Sequence, residues 1–230
     1  MKMHTPLLTV LVAATLFTSC KKESTNAENA GTVGYQLRTI NRTALVGKTD
    51  ATGRIAATSI NWTAGTASAN ELKFEAESNS GEVEFKQRAA QQVDLFSATS
   101  FLGNITIPAG TYNEVEFKAF LVPSGNSPAL ELDGTLTAGS VSHPVKFIVA
   151  SNVELKAEKH NITVAQGEKY SALNSIDLSQ LTKGIPESAF TAASLTNNTI
   201  VLSATSNTDL YNLVLNNLNS HHGEAEVEHD

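Results

Sequence analysis

From Val33 onward, apolar residues recur at every second position, and this period limits the fold more than any other feature of the chain. Successive side chains of an extended strand point to opposite faces, so a period of two predicts strands half buried in a sheet. Residues 71–77 (ELKFEAE) are the clearest case. Leu72, Phe74 and Ala76 share one face, while Glu71, Lys73, Glu75 and Glu77 share the other. Residues 82–86 (EVEFK) repeat the pattern with Val83 and Phe85 inward, and Asn79-Ser80-Gly81 between the two runs reads as a turn. A hairpin is expected there. Further runs carry Val33, Tyr35 and Leu37, residues 55–62, Ile105 and Ile107, Leu130 and Leu132, and Val145, Phe147 and Val149. Val153, Leu155 and Ala157 form another, then Ile162 and Val164. In the long run from Tyr112 to Leu121 the inward set changes phase between Tyr112 and Val115, which predicts a bulge or a register change. Short strands at intervals of about 8–12 residues with turns between them predict an antiparallel β-sandwich over residues 33–165.

Past residue 170 the pattern loosens. Residues 178–183 and 186–193 read as short helices, 199–204 as a strand, and 209–218 as a helix with Thr208 as its N-cap. Residues 166–219 are therefore expected to form a mixed α/β extension packed on the sandwich. Residues 220–230 are expected to be a disordered acidic and histidine-rich tail.

The N-terminus reads as an address. Residues 7–17 (LLTVLVAATLF) are an unbroken run of 11 apolar or small residues behind Lys2. A bilayer-spanning helix needs about 20, so the run fits the core of a signal peptide, residues 1–19. It ends in Phe17-Thr18-Ser19-Cys20, which resembles the bacterial lipobox, although Phe17 stands where Leu is usual. That resemblance implies cleavage before Cys20 and transfer of a diacylglycerol to its thiol, with palmitate-type acylation of the new amine. Each buried methylene contributes about 0.8 kcal/mol, so several chains on one residue make a lasting anchor. Residues 20–32 would then be the lipidated cysteine and a polar, flexible tether. Cys20 is the sole cysteine, so no disulfide supports the fold and a core must. The implied location is the bacterial outer membrane, exposed at the cell surface or facing the periplasm.

Val93-Asp94-Leu95-Phe96, followed by Leu102-Gly103-Asn104-Ile105-Thr106-Ile107-Pro108-Ala109-Gly110-Thr111-Tyr112, is similar to uncharacterised β-sandwich lipoprotein domains of Bacteroidota. The resemblance covers residues 92–121 well and 33–165 loosely. It implies an Ig-like or transthyretin-like sandwich and brings no activity with it.

A net charge of −7 argues against nucleic acid as a partner. No G-x-S-x-G, H-E-x-x-H or phosphate-binding glycine loop is present, and no enzyme activity or cofactor is expected. Glu114 and Glu116 sit at strand spacing and could pass for a glycosidase pair, but Glu75/Glu77 and Glu82/Glu84 repeat the same pattern. Trp62 is the single tryptophan: it is a candidate platform for a sugar ring, or a core residue, the commoner place for tryptophan. His221, His222 and His229 lie in an acidic tail that could hold Zn²⁺, Cu²⁺ or Ni²⁺, or simply be solvated. His143 and His160 are isolated and expected in loops or at strand ends. The expected function is that of a lipid-anchored envelope protein that binds a protein or glycan partner, with carbohydrate capture or metal binding by the tail as alternatives.

Overall fold

A computed structural model describes residues 29–47, 58–78, 81–98, 100–220, 223–224 and 226–229. The strands are β1 (Ala30–Ile40), β2 (Thr43–Leu45), β3 (Thr58–Ser78), β4 (Gly81–Asp94), β5 (Phe101–Pro108), β6 (Gly110–Leu121), β7 (Leu130–Ala138), β8 (Val141–Val149), β9 (Val153–Val164) and β10 (Lys169–Asp177). A short 3-10 helix (Leu178–Thr182) and helix α1 (Glu187–Thr191) follow. The chain continues through β11 (Leu195–Thr196), β12 (Thr199–Leu202), helix α2 (Thr208–Ser220), β13 (Gly223–Glu224) and β14 (Glu226–His229).

The protein is mainly β, as the alternation requires, with two sheets and short C-terminal helices. The small sheet runs β14-β10-β1-β5. The large sheet runs β11-β12-β8-β7-β3-β6-β9-β13, with β2 and β4 also paired to β3. The hairpin of β3 and β4 forms as expected, from Ser78 opposite Gly81 to Thr66 opposite Asp94.

Several details depart from the sequence reading. Residues 58–62 of the first run, whose residues 55–57 lie outside the described residues, and the run 71–77 belong to one strand of 21 residues. Register shifts at Trp62/Ala64 and Ala69/Glu71 let β3 bend, so its first half pairs with β2 and β7 and its second half with β4 and β6. Not every pairing is antiparallel: β1–β10, β12–β8 and β13–β9 are parallel. The boundary drawn at residue 165 separates strands of one core, because β10 lies in the small sheet between β1 and β14. The tether ends earlier than residue 32, since β1 begins at Ala30, which is buried. The phase change in β6 needs no inserted residue: Tyr112 faces Ile162 and Glu114 faces His160 in one register, and between those partners Asn161 takes a left-handed φ of 55°. His143 and His160 lie inside β8 and β9.

Aromatic rings join the sheets. Tyr35 of β1 meets Phe117 of β6 edge-on at 5.3 Å, Phe117 meets Phe74 at 5.4 Å, and Phe74 meets Tyr112 at 5.9 Å. Such edge-to-face packing adds about 0.5–1.5 kcal/mol per pair beyond area burial. The Tyr35 hydroxyl donates to the Lys73 carbonyl at 3.0 Å, and burial pushes its pKa well up. Helix α2 starts one residue before the expected span. The Asn207 carbonyl accepts from the Tyr211 amide, so Asn207 rather than Thr208 precedes the helix. Leu210, Tyr211, Val214 and Leu218 are buried, whereas Leu213 is exposed.

Candidate functional site

The outer face of β4, β3, β6 and β9 is a charged lattice. Each strand alternates, so every second residue points to solvent, and the registers align these residues in rows across the strands. Glu84, Glu75, Glu116 and Glu158 form one row, and Lys86, Lys73, Lys118 and Lys156 form the next. Direct neighbours therefore carry like charge, and attraction runs along diagonals and along the strands. Lys73 bridges Glu75 and Glu84 (2.8 Å to the latter), and Lys86 reaches Glu84 at 2.9 Å. Lys118 bridges Glu75 and Glu116 (2.6 Å to the latter), and Lys156 bridges Glu116 and Glu158 (2.7 Å to the latter). The result is one continuous chain of eight alternating charges over four strands.

This lattice sets the titration of its members. Hydrogen bonds from Lys118 and then Lys73 hold the Glu75 carboxyl below its usual value, and Lys73 and Lys86 do the same for Glu84. Burial pushes Glu116 up, but donation from Lys118 and Lys156 outweighs it and leaves its pKa lowered. Hydrogen bonds to Glu75 and Glu84 raise Lys73, and those to Glu116 and Glu158 raise Lys156. A smaller cluster repeats the arrangement on β7 and β8, where Lys146 bridges Glu131 and Asp133, 2.6 Å from the latter.

Beyond the glutamate row lie Glu82, Glu77 and Glu114, aligned with His160. With Glu75 and Glu116 they line a shallow recess of about 170 Å³. Glu114, Glu116 and Glu158 each offer an oxygen within 4.8 Å of the others, a hard-ligand set of the kind Ca²⁺ takes. A cation there would have to compete with Lys156, which already bridges Glu116 and Glu158. Of the Glu114/Glu116 pair, the Glu116 carboxyl is held below its usual value, the opposite of the raised pKa a general acid needs.

A second cavity, of about 200 Å³, opens where β3 bends. The register shift at Ala69/Glu71 places Asn70 at its wall, beside Gln91, Gln92, Ser124 and Ser127. Its lining contains no ionisable side chain and no aromatic ring. Gln92 donates to the Ser127 hydroxyl at 3.5 Å, and the Ser68 hydroxyl donates to the Pro128 carbonyl at 2.8 Å. No motif marks this cavity in the sequence, because its walls come from two strands and the segment after β6.

The sequence candidates fall elsewhere. Trp62 is 1% exposed and packs in the core, so it is no platform for a sugar. Its indole N–H has no hydrogen-bond partner among the described residues. Cys20, His221 and His222 lie outside the described residues. The backbone of His229 pairs with Tyr170 at the edge of the small sheet, so this part of the tail is a strand rather than a free end. Among the described residues no helix is long and apolar enough to cross a membrane. No protein-family model, curated protein or solved structure matches the chain.

Proposed function

We propose that the protein is a lipid-anchored, non-enzymatic binding module of the bacterial envelope, tethered through Cys20, that holds a partner protein by an extended segment. The observation that carries this reading is the cavity at the β3 bend. Its amides and hydroxyls can donate to and accept from a peptide main chain, and it has no titratable group for acid–base chemistry. A glycan held there would rely on hydrogen bonds alone, because Trp62 is buried and the lining has no ring on which a sugar could stack.

The test is photo-crosslinking in living cells, with the reactive residue at Asn70 and a control at the exposed Thr205. The expected result is a discrete protein adduct at position 70 that is lost when Cys20→Ala releases the chain from the membrane. An adduct no stronger at 70 than at 205 overturns the binding reading. A Cys20→Ala chain that still sediments with membranes overturns the anchor.

A further inference from the structure

Strand β4 is at the border of the large sheet. Among the described residues it pairs with β3 alone. Its far end is fastened: the Gln91 amide donates to the carbonyls of Phe101 and Leu102, at 3.1 and 2.9 Å, and closes β4 against β5. Among the described residues no strand but β3 pairs with the stretch from Glu82 to Arg88, whose other main-chain edge is about 24 Å long. Natural sheets blunt such edges or use them for pairing.

The side chains on this stretch carry their charges in a set order along the strand. Glu82, Glu84, Lys86 and Arg88 point outward, acidic first and basic last. Inside the chain, β3 sets like against like at three of these positions, with Glu82 opposite Glu77, Glu84 opposite Glu75 and Lys86 opposite Lys73, while Arg88 faces Glu71. A strand that reads acid, acid, base, base is complementary to itself when reversed.

We propose that the free edge of β4 pairs antiparallel with the same edge of a second copy of this chain, with Phe85 on the two-fold axis. That register sets Glu84 opposite the partner's Lys86 and Glu82 opposite the partner's Arg88, and by symmetry each pair occurs twice. A slip of one residue turns the outward side chains to the wrong face. A slip by one pair in either direction centres Glu84 on the partner's Glu84, or Lys86 on the partner's Lys86. Charge alone thus selects one register. On the opposite face Phe85, half-buried 6.3 Å from Phe74, comes to lie beside the partner's Phe85, and half-buried Val83 comes to lie beside the partner's Gln87. The two charged lattices then join into one across the axis. This pairing uses neither the cavity at the β3 bend nor the lipid, so it stands or falls separately from the partner-binding reading.

The test is sedimentation equilibrium of the full chain in detergent, for wild type, Glu84→Lys and Lys86→Glu. Wild type is expected to form a dimer. Each variant converts two attractive cross-strand pairs into repulsive ones and should raise the dissociation constant about tenfold or more. An equal mixture of the two variants should dimerise again, because one edge then carries two lysines against two glutamates on the other. Recovery on mixing also shows that both variants are folded. A wild-type chain that stays monomeric at its highest soluble concentration overturns the pairing. So do variants that associate as tightly as wild type, or a mixture that associates no more tightly than its components.

Discussion

Gly134 of β7 stands directly opposite Trp62 of β3, and a Cβ on that glycine would lie 2.7 Å from the Asn61 carbonyl oxygen and 3.0 Å from indole Cε3. The largest side chain in the core therefore sits over the residue with none. Gly134→Ala should destabilise the fold by about 1–3 kcal/mol, because neither the ring nor the β3 backbone can give way cheaply. A urea melt should show a lower midpoint with an unchanged slope.

Phe74 is the hub of the ring cluster, touching Phe85, Tyr112 and Phe117 while fully buried. Phe74→Ala should cost about 3–5 kcal/mol, since the cavity is walled by both sheets and collapses poorly. Leu213→Ala on the exposed side of α2 should change stability by about 0.5 kcal/mol or less. Comparable losses from both would contradict the assignment of the core.

Glu75 bridges Lys73 and Lys118 at the centre of the charged lattice. Glu75→Gln keeps the shape and removes the charge that both lysines use. Because the lattice faces water, the expected loss is about 1 kcal/mol or less, and it should shrink as salt is added. Equilibrium unfolding of wild type and variant at low and high salt checks both points.

The same groups set a pH dependence. Glu75, Glu84 and Glu116 have pKa values lowered from 4.5 in the folded chain. Their stabilisation is fully present above 4.5 and is lost as pH falls through the lowered values. Lys73 and Lys156 are raised above 10.5, so their part is present below 10.5 and is lost as pH rises through the raised values. The lattice should thus contribute a plateau between these limits. The stability gap between wild type and Glu75→Gln, followed by urea midpoints, should be constant across that plateau and close in acid.

What the sequence determined by itself is which way the residues of the alternating runs between 33 and 164 face, whereas the strands at Lys169–Asp177 and Glu226–His229 carry no such signal. The two-residue period alone placed Leu72, Phe74 and Ala76 inward and put Lys73, Glu75, Glu116 and Lys118 on the wet side, because pleating is a local property of the backbone. What only the tertiary structure decided is pairing and register, which depend on contacts between residues far apart in the chain. Alternation could not show that β10 runs parallel to β1 inside the small sheet, or that β3 bends and serves two sets of partners. Nor could it show that Trp62 is enclosed because a glycine faces it. The rows of like charge, the cavity at the bend and the free edge of β4 all arise from register, so none has a signature in a single segment of sequence.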